Sequence, residues 1–314
     1  MKSKANIKQI FKNNGILIVF FLFCVALSIL SPYFLSMNNI LNILRQTSIY
    51  GILAVGMTFV ILTGGIDLSV GSILAISGMI CAGMLKSGES IFLSSVVAIG
   101  VGAGFGLLTG LIITIGKITP FVVTLGMMTI ARGLTLIYSK GYPISGFSSA
   151  FRKIGGGYVL GIPVPVIIFL ITVAIAWFIL KYTRLGRYTY AIGGNEETVK
   201  LSGINASFYK TMVYVIVGIA AGLSALILTS RLNAAEAIAG QGYELDVIAA
   251  VVVGGTSLMG GRGSIIGTLI GALLIGVINN GMNLLGISPY FQLVVKGFLI
   301  IGAVILDRLR DETA

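Results

Sequence analysis

Residues 240–276 read GQGYELDVIAAVVVGGTSLMGGRGSIIGTLIGALLIG. A charged, glycine-bearing loop with Glu244 and Asp246 runs into an apolar helix. That helix breaks at Gly254-Gly255 and again at Gly260-Gly261-Arg262-Gly263, and a second apolar helix follows with Gly263, Gly267 and Gly271 spaced every four residues. Gly102, Gly106 and Gly110 repeat the spacing. Each set makes a stripe of small residues on one helix face. Such stripes suit a bundle of membrane helices, where close backbone approach replaces the hydrophobic effect as the source of association. Packing is the first reading of these glycines and a flexible gate the second.

Composition leads to the same class. The chain has 314 residues, 56% hydrophobic, 10% charged and without histidine. Soluble domains carry about a quarter charged residues, and this chain cannot cover a globular surface with so little. A membrane span needs about 20 mostly apolar residues. The apolar stretches accommodate about ten: 15–35, 48–64, 70–86, 91–114, 119–138, 163–181, 211–230, 245–260, 264–285 and 290–306. The second and eighth are short and interrupted by glycine, so either could be broken or re-entrant. The fold class expected is an all-α polytopic membrane protein of one transmembrane domain, residues 1–314.

With the N-terminus inside, Arg45, Lys86, Lys140, Arg152, Lys153 and Arg231 fall outside, Arg132 and Lys296 fall within spans, and the remainder of the 21 basic residues fall inside. That bias predicts an N-in, C-in chain. Residues 1–14 and 307–314 then form inner tails, 139–162 an outer loop and 182–210 an inner loop. The net charge of +11 is accounted for by topology and does not call for nucleic acid. Lys296 and Arg132 are expected to snorkel to an interface. Cys24 and Cys81 lie in apolar runs as small packing residues.

An internal echo links Gly64-Gly65-Ile66-Asp67-Leu68-Ser69-Val70-Gly71-Ser72 with Gly260-Gly261-Arg262-Gly263-Ser264, and Gly116-Lys117-Ile118-Thr119-Pro120-Phe121 with Gly286-Ile287-Ser288-Pro289-Tyr290. Transporters built from repeats place their site at the repeat interface; chance glycine matches are the other reading.

Several chemistries are excluded. The nearest approach to a nucleotide-binding loop, Gly110 to Gly116-Lys117-Ile118, has the wrong spacing, and Ile118 offers no hydroxyl for magnesium. No histidine base or histidine metal site is available, no cofactor is implied, and no aspartate pair could hold a magnesium-diphosphate. A carboxylate relay within the spans is also missing from this reading, Asp67 at a span edge being the nearest candidate.

What remains is polar side chains within apolar spans. Asn279 and Asn283 share one face of the ninth span, one turn apart, with Asn280 beside them. An amide in hydrocarbon needs a partner. It either bridges helices or lines a path for a hydroxylated solute. Thr63, Gln46 and Asn233 are weaker candidates of the same kind. The inner loop holds Asn195, Glu196, Glu197, Thr198, Lys200, Leu201, Gly203 and Ile204. Asn195 can cap a short helix with acids in its first turn, and Gly203 can end it. A solvated loop is one reading; a helix offered to a separate ATPase is the other.

Four blocks carry a resemblance: MTFVILTGGIDLSVGSILAISG (57–78), TPFVVTLGMMTIARGL (119–134), AIGGNEETVKLSGI (191–204), and the stretch from 242 to 288 that includes GTLIGALLIGVINNGMNLLGIS. Over nearly its whole length the chain resembles the ribose/galactose/xylose-type permeases of ATP-binding-cassette importers. The resemblance implies a bacterial cell membrane protein that carries out no covalent chemistry. It also implies two permease copies, a cytoplasmic ATPase with two fused cassettes and an extracytoplasmic sugar-binding protein, with the coupling helix in 191–204. A stand-alone carrier or facilitator for a small polar solute is the alternative; the exposed, coupling-like inner loop weighs against it.

Overall fold

A computed structural model describes residues 17–311. Its helices, in chain order, are α1 (Leu17–Leu30), α2 (Met37–Leu62), α3 (Val70–Lys86), α4 (Ile91–Gly116), α5 (Pro120–Ser139), α6 (Ser149–Gly156), α7 (Val164–Tyr182), α8 (Arg184–Leu201), α9 (Ala206–Leu232), α10 (Tyr243–Val253), α11 (Ile265–Leu284) and α12 (Pro289–Asp311). Among the described residues, α2, α4, α5, α7, α9 and α11 are long and apolar enough to cross a membrane, and α1, α3 and the 289–302 part of α12 are shorter apolar helices. The chain is a polytopic helical membrane protein. The 1–14 segment lies outside the described residues, as do the last three residues of the 307–314 tail.

α2 is the central helix: 83% of its most apolar window is buried, against 33% for α4 and 28% for α7. It begins at Met37 rather than 48, because Ser36 caps it by accepting from Asn39 N at 3.3 Å and its early polar residues find partners. Asn39 and Asn280 of α11 exchange two amide hydrogen bonds, at 3.0 and 2.9 Å. Further along, Thr58 meets Thr268 of α11 at 2.7 Å, and Ser224 of α9 donates to Ile49 O at 2.9 Å. These bonds tie the core together where hydrophobicity cannot discriminate helix from lipid.

The glycine stripes lie at the closest helix contacts. A Cβ at Gly102 or Gly106 would overlap the carbonyls of Gly218 or Tyr214 on α9, and one at Gly110 would reach Thr211 Cα at 2.8 Å. Gly271 and Gly267 hold α11 against Ala250 and Gly254 of the α10 segment in the same way. Gly263 precedes α11 and packs on Thr256.

The expected eighth span is not a continuous helix of membrane length. α10 has 11 residues, about 16 Å at 1.5 Å per residue, roughly half of a ~30 Å hydrocarbon core. Residues 254–264 continue it as non-helical backbone. The second expected span is an unbroken helix of 26 residues.

Two ends of the bundle are distinguished by their connections. At one, residues 139–162 hold α6 and two short antiparallel pairings, β1 (Ile144–Ser145) with β4 (Ala234–Ala235) and β2 (Tyr158–Val159) with β3 (Ile162–Pro163). Gly155 N donates to Ser230 Oγ at 2.7 Å, and that hydroxyl donates to Phe151 O at 2.7 Å, so α6 is fastened to the end of α9. At the other end lies α8.

Candidate solute pathway and coupling surface

The 182–210 segment is helical through α8, with one break. Asn195 leaves helical geometry (φ −162°, ψ 102°), and its Oδ1 accepts from Thr198 N at 3.0 Å. A short terminal helix thus starts afresh at Glu196. Its stop follows from Gly203, which takes φ +78° and donates to Lys200 O at 3.0 Å. Glu196 accepts from Lys210 of α9 at 2.9 Å and lies 3.1 Å from Lys200. Partial burial pushes the Glu196 carboxyl up, but the two ammonium groups outweigh it and hold the carboxyl below its ordinary range. Ile204 packs beside Ile192, Val199 and Ala206, whereas Leu201 is 89% exposed. The segment therefore has a tied root and a bare apolar tip.

Its root touches the bundle through backbone. A Cβ at Gly193 would overlap Leu62 O, the last carbonyl of α2, and Gly261 N. Gly261 N also donates to Leu62 O at 2.9 Å, and a Cβ at Gly260 would lie 2.9 Å from Gly64 N. The two echoed glycine segments, 64–65 and 260–261, thus meet each other and α8 at one node.

The polar candidates separate into distinct settings. Asn280 is the helix bridge to Asn39. Thr63 Oγ1 donates to Val60 O at 2.8 Å at the end of α2. Asn233 adopts φ +54° after α9, and its Oδ1 accepts from Phe147 N at 2.9 Å, organising the 139–162 side. Gln46 donates to Asn42 at 3.2 Å. Asn283 is exposed, and its Oδ1 accepts from Gln292 at 2.9 Å. Asn279 lies beside the carboxyl of Asp246, while its own Oδ1 is buried without a partner.

Three expectations about charge are corrected. Lys296 does not snorkel: its Nζ lies 2.8 Å from Asp246 Oδ2, with 21% and 6% of the two side chains exposed. Arg132 does not snorkel either; it donates to Ala237 O and, at 3.0 Å, to Ala239 O. Carboxylates are also present within the bundle. Asp67 is buried and accepts from Ser69 N at 2.8 Å, and Asp246, read from sequence as part of a loop, sits buried in the first turn of α10. The signal that could have found the pair is a lone lysine within an uncharged run and an acid at the head of another; the two are 50 residues apart and nothing local connects them. Among the described residues no cluster of His, Cys, Asp or Glu is fit to hold a metal.

Comparison with known proteins agrees with this architecture. The family described as "Branched-chain amino acid transport system / permease component" matches residues 39–304. The ribose import permease protein RbsC of Bacillus subtilis is 53% identical over 293 residues, covering 93% of this chain and 91% of the relative. Its counterpart in Escherichia coli K12 is 48% identical, covering 94% and 93%. The D-allose transport system permease protein AlsC of the same strain is 45% identical, covering 92% and 90%. No solved structure matches the chain.

Proposed function

We propose, from the premise that this chain belongs to the permease-component family of the branched-chain amino acid transport systems, that it is the membrane-spanning subunit of an ATP-driven sugar importer. Ribose is its substrate. The relatives named for ribose carry that assignment, and the amides of α11 suit it, since a sugar sheds water onto groups that both donate and accept. Asn279 and Asn283 make its pathway, with Asn280, Thr63, Gln46 and Asn233 holding the surrounding helices and loops in place.

ATP is hydrolysed on a partner. The observation that carries coupling is the segment from Asn195 to Ile204: capped, exposed at Leu201 and rooted on the last carbonyl of α2. A push on it reaches α2 and the α10–α11 break directly. The working assembly contains two copies of this chain, an ATPase with two fused cassettes that meets the 182–210 face on the inside, and a sugar-binding protein that docks on the 139–162 face outside. Both termini are then inside.

The test is Glu197→Arg. Glu197 is 79% exposed in its side chain and pairs only with nearby Lys200 at 3.0 Å among the described residues. Reversal of such a pair costs at most about 1 kcal/mol of stability. Membrane insertion and yield should stay normal while ribose uptake and sugar-stimulated ATP hydrolysis are lost. Normal values of both in the variant would remove the coupling role.

A further inference from the structure

α10 begins inside the bundle rather than at its edge. After α9 ends at Leu232 on the 139–162 side, the chain passes through β4 and returns inward as non-helical backbone to Gly242. Arg132 of α5 holds that descent by donating to the carbonyls of Ala237 and Ala239. At its foot Gly240 lies against Gly71, the second residue of α3, so closely that a Cβ on either would collide with the other's backbone. Irregular backbone at membrane depth persists only where protein buries it or where it lines a cavity. Half-helices that start at such depth are where transporters place solute sites.

The first turn of α10 carries the buried Asp246. Three elements converge on it. Lys296 of α12 supplies the ammonium at 2.8 Å, and the amide of Asn279 of α11 lies beside the carboxyl. On the α2 side, Gly276 of α11 lies against the hydroxyls of Thr47 and Tyr50, which are 3.1 Å from each other. Lys296 lies about 10 Å along α12 and Asn279 about 8 Å before the end of α11 at 1.5 Å per residue, so the group sits in the half of the bundle nearer the 139–162 side.

Stability does not explain this group. Removing two charges from water costs more than their attraction reliably returns, and apolar replacements are often as stable. Ionisable side chains within a membrane mark pathways. The chemistry gathered there also fits one ligand class. A carboxylate accepts from hydroxyls, an amide does both, and an ammonium donates to hydroxyl or ring oxygens. The unpartnered Asn279 Oδ1 is a ready acceptor.

We infer that Asp246, Asn279 and Lys296 form a hydroxyl-binding station for the sugar in the outer half of the pathway. This rests on the sugar-import reading above. Asp246 accepts from a sugar hydroxyl, exchanging the hydrogen bond that Lys296 gives it now. Because the bond from sugar to Asp246 replaces the one that Lys296 makes now, the station holds its ligand weakly and releases it.

The experiment uses the whole complex in proteoliposomes, with labelled ribose as the probe. Wild-type uptake is read first: its absence would count against sugar import itself. Two variants are then compared, the charge swap Asp246→Lys with Lys296→Asp and the neutral pair Asp246→Asn with Lys296→Met. Both remove the carboxylate at 246 without stranding a buried charge. Complex yield and basal ATP hydrolysis should stay near wild type in at least one of them, while ribose uptake falls tenfold or more. Competition by ribose analogues that each lack one hydroxyl should distinguish those hydroxyls in the wild type and lose that discrimination in the neutral pair. Wild-type uptake in either double variant, or unchanged discrimination, would overturn the station and leave the pair as a helix tie.

Discussion

Single residues differ most in what their neighbours do for them. Asn279, Asn280 and Asn283 look alike in sequence, yet they have three fates. Asn280 exchanges two amide bonds with Asn39. Replacing either partner alone with leucine strands a buried amide and should cost about 1–3 kcal/mol, whereas the double variant should recover much of that loss. Thermal unfolding of the detergent-solubilised protein measures it; strict additivity of the two single losses would mean the bridge does not form. Leucine at the exposed position 283 should instead leave unfolding nearly unchanged and slow uptake. Glu196 yields a pH prediction. Its folded carboxyl sits below its ordinary range, so its pairing with Lys210 and Lys200 stabilises the α8–α9 tie above the unfolded value. That contribution is lost as pH falls through the lower, folded value. In Glu196→Gln the acid-induced loosening of α8, followed by hydrogen exchange of residues 196–204, should disappear; an unchanged acid profile would refute the tie.

At the scale of elements, glycine position decides tolerance. α4 carries Gly102, Gly104 and Gly106 within five residues. A Cβ at 102 or 106 meets α9 backbone, whereas nothing lies within 4 Å of one at 104. Leucine at 102 or 106 should therefore part α4 from α9, with a loss of at least about 1–3 kcal/mol and of folded yield. Leucine at 104 should be accepted. Equal yields for all three, read by size-exclusion recovery, would place the stripe against lipid. The stripes were legible because spacing of four is local. The shortness of α10 was not: sixteen mostly apolar residues with internal glycines read equally well as a span or as a half-helix, and the choice depends on Gly71 and Arg132, residues far away in the chain.

For the whole molecule, the node at Gly193 is the point where the 182–210 face meets the bundle. Gly193→Ala would drive a methyl into the α2 terminus and Gly261. The variant should keep its partners but lose the link: ATP hydrolysis by the assembled complex should persist while uptake falls tenfold or more. Uptake at the wild-type rate would mean that motion reaches the pathway by another route. The Gly64 and Gly260 segments touch at this node.

Composition, charge bias and glycine spacing were enough to read a polytopic helical bundle with a capped helix near Asn195, because each is a property of residues close in sequence. The absent nucleotide loop was equally a local reading. The solvation of individual polar groups was a different matter. Lys296 looks like a snorkelling lysine until α10 delivers Asp246 to it, and Asn280 looks like a pathway residue until α2 delivers Asn39. In hydrocarbon the free energy of a polar side chain is set by its partner, and partners 50 or 241 residues apart are chosen only when the helices pack.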